Sequence, residues 1–189
     1  MKNETLYQGY FTLIRTDRKR EVILAEDAVA VLVACPKLRK IYMQGQDRDA
    51  LIGPRNPSGY TVEVCAGRLD KEDESVKAAA AREVAEELGI TTDENAIRLI
   101  HGEPLTTSTG MTNERVWLAY VEVEPEQIAK GMRWGVAEED ESTTRVEIPY
   151  DALISYPVTD LKTFALIQWF TSFRLLADPG QECVGGSGI

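Results

Sequence analysis

Residues 74–88, ESVKAAAAREVAEEL, constrain the fold more than any other stretch. They hold four consecutive alanines and several glutamates, all strong helix formers. The pattern predicts a helix with Asp73 as its N-cap and Gly89 as its C-terminal stop. Residues advance about 100° each around a helix, so Glu83, Glu86 and Glu87 fall within an arc of roughly 100°. Like charges at that spacing repel, and a solvated acidic face is the ordinary explanation of such a run. Three features weigh against it here. Val76, Ala80, Val84 and Leu88 form an apolar stripe that borders the acidic arc. Arg82 stands beside Glu83, where it can orient a carboxylate. The turn CAGRLD follows a strand and leads into the helix.

The rest of the chain reads as strands with few helices. AVAVLVAC, residues 28–35, is a Val-rich apolar run that ends at Pro36 and predicts a buried strand. Residues 9–24 alternate as a half-buried strand or hairpin would. RKIYMQGQ, YTVEVCAG, RVWLAYVEV and the shorter RVEIPY predict further strands, and residues 53–60 a loop. EPEQIAKGM predicts a short helical turn, and residues 160–177 a terminal amphipathic helix. The expected organisation is an N-terminal β region over 1–27, a main α/β domain over 28–176 and a disordered Gly-rich tail over 177–189.

Charge and composition narrow the chemistry. A net charge of −10 over 189 residues argues against a nucleic-acid grip, which needs clustered Lys and Arg. It leaves room for a phosphate-bearing substrate if metal ions bridge the two negative parties. No apolar run nears the roughly 18 residues that span a bilayer, and the opening MKNETLYQGY lacks the apolar stretch of a signal peptide. The three cysteines, Cys35, Cys65 and Cys183, have no CxxC spacing and read as reduced thiols of a cytoplasmic protein. With His101 the only histidine, a His-based metal site is excluded and oxygen ligands must serve. Hard divalent cations accept such ligands, carboxylates and backbone carbonyls together. A loop can supply the carbonyl while the following helix supplies the glutamates.

Residues 67–90, GRLDKEDESVKAAAAREVAEELGI, resemble the Nudix box, Gx5Ex7REUxEExGU with U a bulky apolar residue. Glu74, seven further residues, and Arg82 to Ile90 match the second part completely. The first part departs: six residues separate Gly67 from Glu74, an insertion that a loop absorbs more easily than a helix face. The resemblance implies a Nudix-type α/β/α sandwich with a mixed central sheet and an N-terminal β region. It implies Glu83, Glu86, Glu87 and the backbone of Ala66 as ligands for Mg²⁺, with Mn²⁺ as an alternative. Arg82, placed with Glu86 among the catalytic residues, is expected to act mainly as an ion-pair partner of a box glutamate.

Other stretches resemble the branch of ADP-ribose and GDP-mannose pyrophosphatases. KREVILAEDAVAVLV carries the Arg20–Glu21 pair before the first core strand, and MQGQDRD ends in a substrate-facing Arg48. STGMTNER is similar to the branch's substrate loop, usually SPGGTSER, with Thr109 where Pro is usual and Glu114 as a substrate contact. WGVAEEDEST resembles the acidic loop that carries the base, which points to Glu138, Glu139 or Glu141, with Glu139 and Glu141 preferred. The resemblance implies hydrolysis of a nucleoside diphosphate-sugar to a nucleoside monophosphate and a sugar phosphate. It further implies a homodimer in which Arg20 or Glu21 reaches the other chain's site. The rival expectations are a hydrolase of nucleoside triphosphates or dinucleoside polyphosphates, and a sugar-nucleotide sensor that does not cleave. Trp117 is expected in the core, Trp134 shielding a loop, and His101 at the surface.

Overall fold

A computed structural model describes residues 3–69, 71–135 and 142–177, with side chains as far as Phe173. The N-terminal stretch forms three antiparallel strands, β1 (Glu4–Gln8), β2 (Thr12–Arg15) and β3 (Glu21–Leu24), in a sheet of their own. The 9–24 alternation is thus a hairpin, closed by a turn in which Lys19 takes a left-handed conformation.

The main sheet is built from β4 (Ala28–Cys35), β5 (Lys40–Asp47), β6 (Tyr60–Glu63) and β7 (Cys65–Arg68) before helix α1 (Val76–Leu88). After the helix come β8 (Arg98–Leu99), β9 (Leu105–Thr106), β10 (Arg115–Glu122), β11 (Arg133–Trp134) and β12 (Thr143–Pro149). A one-turn helix α2 (Tyr150–Leu153) and the long α3 (Leu161–Ala177) finish the described chain. The sheet order is β11-β12-β5-β4-β10-β8, with β6 on β5, β7 on β4 and β9 on β10. β10 runs parallel to β4, while β5 and β7 run antiparallel to it, so the sheet is mixed.

Every residue of β4 is buried, which is why the sequence there is an unbroken apolar run. Its alternate side chains serve two cores. Val29, Val31, Val33 and Cys35 pack with Ala79, Ala80, Val84 and Leu88 of α1. Ala28, Ala30, Leu32 and Ala34 pack with Leu166, Ile167 and Phe170 of α3. One helix therefore covers each face, and the molecule is the expected α/β/α sandwich. Among the described residues no helix is long and apolar enough to cross a membrane.

The structure corrects three local expectations. Helix α1 starts at Val76, not Glu74, and its N-cap is Ser75, whose hydroxyl accepts from the Ala78 N–H at 3.0 Å. Asp73 instead sits at φ +63°, a left-handed turn that Asp tolerates better than most residues. YTVEVCAG is not one strand: it passes from β5 to β4 at Val64, pairing first with one neighbour and then with the other. The small strands β8, β9 and β11 are too short to show a period.

Candidate active site

The active-site candidate is a cleft of about 640 Å³ between the N-terminal end of β4, the β7–α1 loop, α1 and the start of α3. Its acidic wall comes from α1. Gly89, at φ +62°, ends that helix and donates to Ala85 O. Glu83 and Glu87 are buried, 8% and 3% exposed, on the edge of the apolar stripe. A charge so placed needs compensation, and two kinds are present. The Ala66 N–H donates to Glu87 Oε2 at 3.0 Å. Arg82 forks across the helix surface: Nε and Nη2 hold both oxygens of Glu74 at 2.9 and 3.0 Å, while Nη1 reaches Glu83 Oε1 at 2.6 Å and Glu86 Oε2 at 3.0 Å.

The bidentate Arg82–Glu74 pair is a charge-assisted contact of the strong kind. It holds the Glu74 carboxyl below its usual range and raises the Arg82 guanidinium further above its own. Glu74 is thus occupied in orienting Arg82, and Arg82 in turn links Glu83 and Glu86. Burial, followed by the charge of Glu87, pushes the Cys65 thiol well up, so Cys65 is a neutral neighbour of the acidic cluster.

Gly67 lies directly beneath Glu83. A Cβ there would overlap the Glu83 carboxylate and stand 2.5 Å from its Cγ. The backbone of residues 66–67 thus packs directly against two buried carboxylates, and those carboxylate oxygens are ligands of the hard type that Mg²⁺ or Mn²⁺ accepts. Among the described residues the carboxylates do not close into a cage of three or more, because Glu83 and Glu86 turn toward Arg82. The residues fit a divalent cation chemically, with the remaining ligands left to water and substrate.

The basic part of the lining comes from separate segments. Arg48, Arg68, Lys71 and Lys162 all line the cleft. Glu63, buried at the end of β6, accepts from Arg48 Nε at 2.7 Å and from Gln46 Nε2 at 3.0 Å. Lys162 pairs with Asp160 at 2.7 Å. Burial pushes Asp160 up, but Lys162 and the Thr163 N–H and hydroxyl outweigh it, and the carboxyl ends below its usual range. Tyr10 and Phe11 also line the cleft, with the Arg68 guanidinium 4.2 Å from the Tyr10 ring centre, a cation–π arrangement.

Of the residues singled out from the sequence, Ala66, Arg82, Glu83, Glu86, Arg48 and Glu114 line this one cleft. Glu87 joins them through Ala66. Glu114 accepts from the Thr107 hydroxyl at 2.8 Å. Arg20 and Glu21 do not enter the cleft of their own chain; with Thr109, Gly110, Met111 and Thr112 they line a separate groove of about 560 Å³. That groove forms because loop 108–113 is sewn to β3 and the residue after it, Ile23 N–H donating to Met111 O at 2.9 Å and Ala25 N–H to Asn113 Oδ1 at 2.9 Å. Glu138, Glu139 and Glu141 lie outside the described residues. The sequence reading missed Arg68, Lys71, Lys162, Tyr10 and Phe11. Arg68 and Lys71 stand in the Nudix-box stretch but at positions its pattern leaves open, and for the others an aromatic pair at a strand end and a Lys in the first turn of a helix are the faint signals available. Trp117 packs on the α1 side of the core, Trp134 lies against Gly89, and His101 is exposed, bonded to the Glu103 backbone.

The family profile of the NUDIX domain matches residues 13–170. The chain belongs to the Nudix family. It is a hydrolase acting on diphosphate bonds. A GDP-mannose pyrophosphatase from Cronobacter sakazakii is 28% identical over 184 residues, 89% of this chain and 92% of that protein. An ADP-ribose pyrophosphatase from Haemophilus influenzae is 33% identical over 153 residues, 73% of this chain and 67% of that protein. In fold the chain is similar to a crystal structure of an ADP compounds hydrolase, with a TM-score of 0.64 at 16% identity, covering 95% of this chain and 94% of the other.

Proposed function

We propose that this Nudix enzyme hydrolyses the diphosphate bond of a nucleoside diphosphate-sugar, with a divalent cation held by Glu83, Glu87, Glu86 and the backbone at Ala66. The observation that carries the reading is the meeting of unlike charges in one cleft, carboxylates from α1 together with Arg48, Arg68, Lys71 and Lys162. A diphosphate calls for both, basic side chains for its oxygens and carboxylates that would hold a charge-neutralising divalent cation.

The bound cation would neutralise the diphosphate and lower the pKa of the attacking water. The chain's own residues do the rest. Arg48, held on one edge by Glu63, keeps its other N–H groups for a phosphate oxygen, and planar guanidinium suits that contact. Arg82 links Glu83 and Glu86 through one nitrogen and so orients both carboxylates and offsets their charge. Lys162 and Lys71 stand where a second phosphate or the attached sugar would lie. A glutamate of the 138–141 segment takes the water's proton. Tyr10 and Phe11 in the cleft lining give a surface for a flat group.

The relatives named above support this substrate class over triphosphates. Parallel assays with Mg²⁺ test it: kcat/KM for ADP-ribose, GDP-mannose or another sugar nucleotide should exceed that for any nucleoside triphosphate by at least about tenfold, roughly 1.4 kcal/mol of discrimination. Faster cleavage of triphosphates than of every sugar nucleotide tried would refute the substrate class while leaving the metal helix in place.

A further inference from the structure

A helix cannot satisfy its own last carbonyls, and the end of α1 shows where each of them goes. Gly89 N–H bonds Ala85 O at 3.0 Å and Ile90 N–H bonds Val84 O at 3.3 Å, the usual glycine-stop pattern. The remaining three are met from outside the helix. Gly135 N–H donates to Glu86 O at 2.9 Å. The Thr143 hydroxyl donates to Glu87 O at 2.9 Å. Arg145 Nη1 donates to Leu88 O at 2.7 Å. Arg145 Nη2 also holds Ala129 O at 2.9 Å and Gly131 O at 2.8 Å. Both side chains are buried, Thr143 fully and Arg145 to 3% exposure. The guanidinium lies at the negative end of the helix dipole, where a cation is favoured.

We propose that Thr143 and Arg145 are positioning residues for the metal-ligating turn. They fix the last turn of α1 to strand β12, and through it the carboxylates of Glu86 and Glu87. Thr143 caps the carbonyl of Glu87, whose own side chain is assigned to the cation, and Arg145 caps that of the next residue, Leu88. A small rotation of that turn would move backbone and carboxylate together, so the clamp sets ligand geometry as well as adding stability. Partners that orient metal ligands in this indirect way characteristically control metal affinity. The inference rests on the reading of α1 as the metal helix.

The test is Mn²⁺ binding to the full chain, followed by electron paramagnetic resonance, with Tm measured alongside. Thr143→Val keeps the shape and removes the donor; it should weaken Mn²⁺ binding by about tenfold, and Thr143→Ser should restore it. Arg145→Lys keeps the charge, cannot span three carbonyls, and should weaken binding as well. Ile148→Val, a cavity in the same strand away from the helix end, should lower Tm and leave Mn²⁺ affinity unchanged. Wild-type Mn²⁺ affinity in folded Thr143→Val overturns the clamp, as does an equal loss in Ile148→Val. Glu87→Gln separates the two readings. If it binds Mn²⁺ as the wild type does, the metal helix fails and the clamp with it. If it loses affinity while Thr143→Val keeps it, the clamp alone fails. Should Arg145→Lys not fold, Thr143→Val decides.

Discussion

Gly67→Ala separates folding from function at this site. Gly67 lies in β7 and is not among the residues with positive φ, so alanine fits its backbone. On backbone grounds the change should stabilise the protein slightly, by about 0.4–1 kcal/mol through the unfolded chain. The new methyl meets Glu83, with its Cβ 2.5 Å from Glu83 Cγ and overlapping the carboxylate. An ordinary contact between carbon atoms is about 3.5–4 Å, so the side chain must retreat by about 1 Å and its carboxylate by more. The obstructing atoms are the far end of a flexible side chain, and the fold can give way cheaply there. The proposed cation site cannot. Glu83 would leave its place beside the Ala66–Gly67 backbone and strain its 2.6 Å bond from Arg82. A misplacement of about 1 Å can cost about 10²-fold in rate. The expected outcome is a Gly67→Ala protein with wild-type or higher Tm, kcat/KM lower by about 10²-fold, and weaker Mn²⁺ binding by calorimetry. A stable variant with near-normal turnover and Mn²⁺ affinity would show that Glu83 is not a ligand held by this backbone.

Arg48→Ala should lower kcat/KM for a sugar nucleotide by about tenfold or more, the scale of one charged hydrogen bond, with Tm little changed; unaltered kinetics would remove Arg48 from the substrate site. Glu74 has a depressed carboxyl in the folded chain, so its pairing with Arg82 contributes stability above the ordinary glutamate value of about 4.3, and that contribution is lost as pH falls through the lower folded value. Denaturant unfolding between about pH 5 and 3 should therefore lose stability less steeply in Glu74→Gln than in the wild type, and identical acid limbs would refute the assignment. Tyr7, Tyr10, Phe11 and Leu24 leave apolar area exposed on the N-terminal strands, and light scattering should find a homodimer of about twice 21.0 kDa; a monomer at micromolar concentration would exclude Arg20 and Glu21 from a partner's site.

What the sequence revealed of this molecule is the part that local physics writes down. Helix α1 was legible because alanines, glutamates and a glycine stop agree over thirteen residues. β4 was legible because burial on both faces leaves no polar alternation. The start of α1 was missed because Asp73 and Ser75 are both good caps, and only the path of the inserted loop decides between them. The break at Val64 was missed because alternation continues unchanged while the strand changes neighbour. The same division runs through the active site. Its acidic wall lies on one helix, within one turn and a half, so periodicity alone gathers Glu83, Glu86 and Glu87. Its basic residues come from the end of β5 where Arg48 follows it, β7, the β7–α1 loop and the first turn of α3, segments whose meeting depends on the sheet order. No spacing rule joins Arg48 to Lys162. The clamp of Thr143 and Arg145 is hidden for the same reason: on a strand each is one polar residue among alternating neighbours, and only the packing of α1 against β12 brings their donors to two waiting carbonyls of the helix end. A diphosphate site needs both signs of charge, and here local sequence shows one of them while tertiary structure supplies the other.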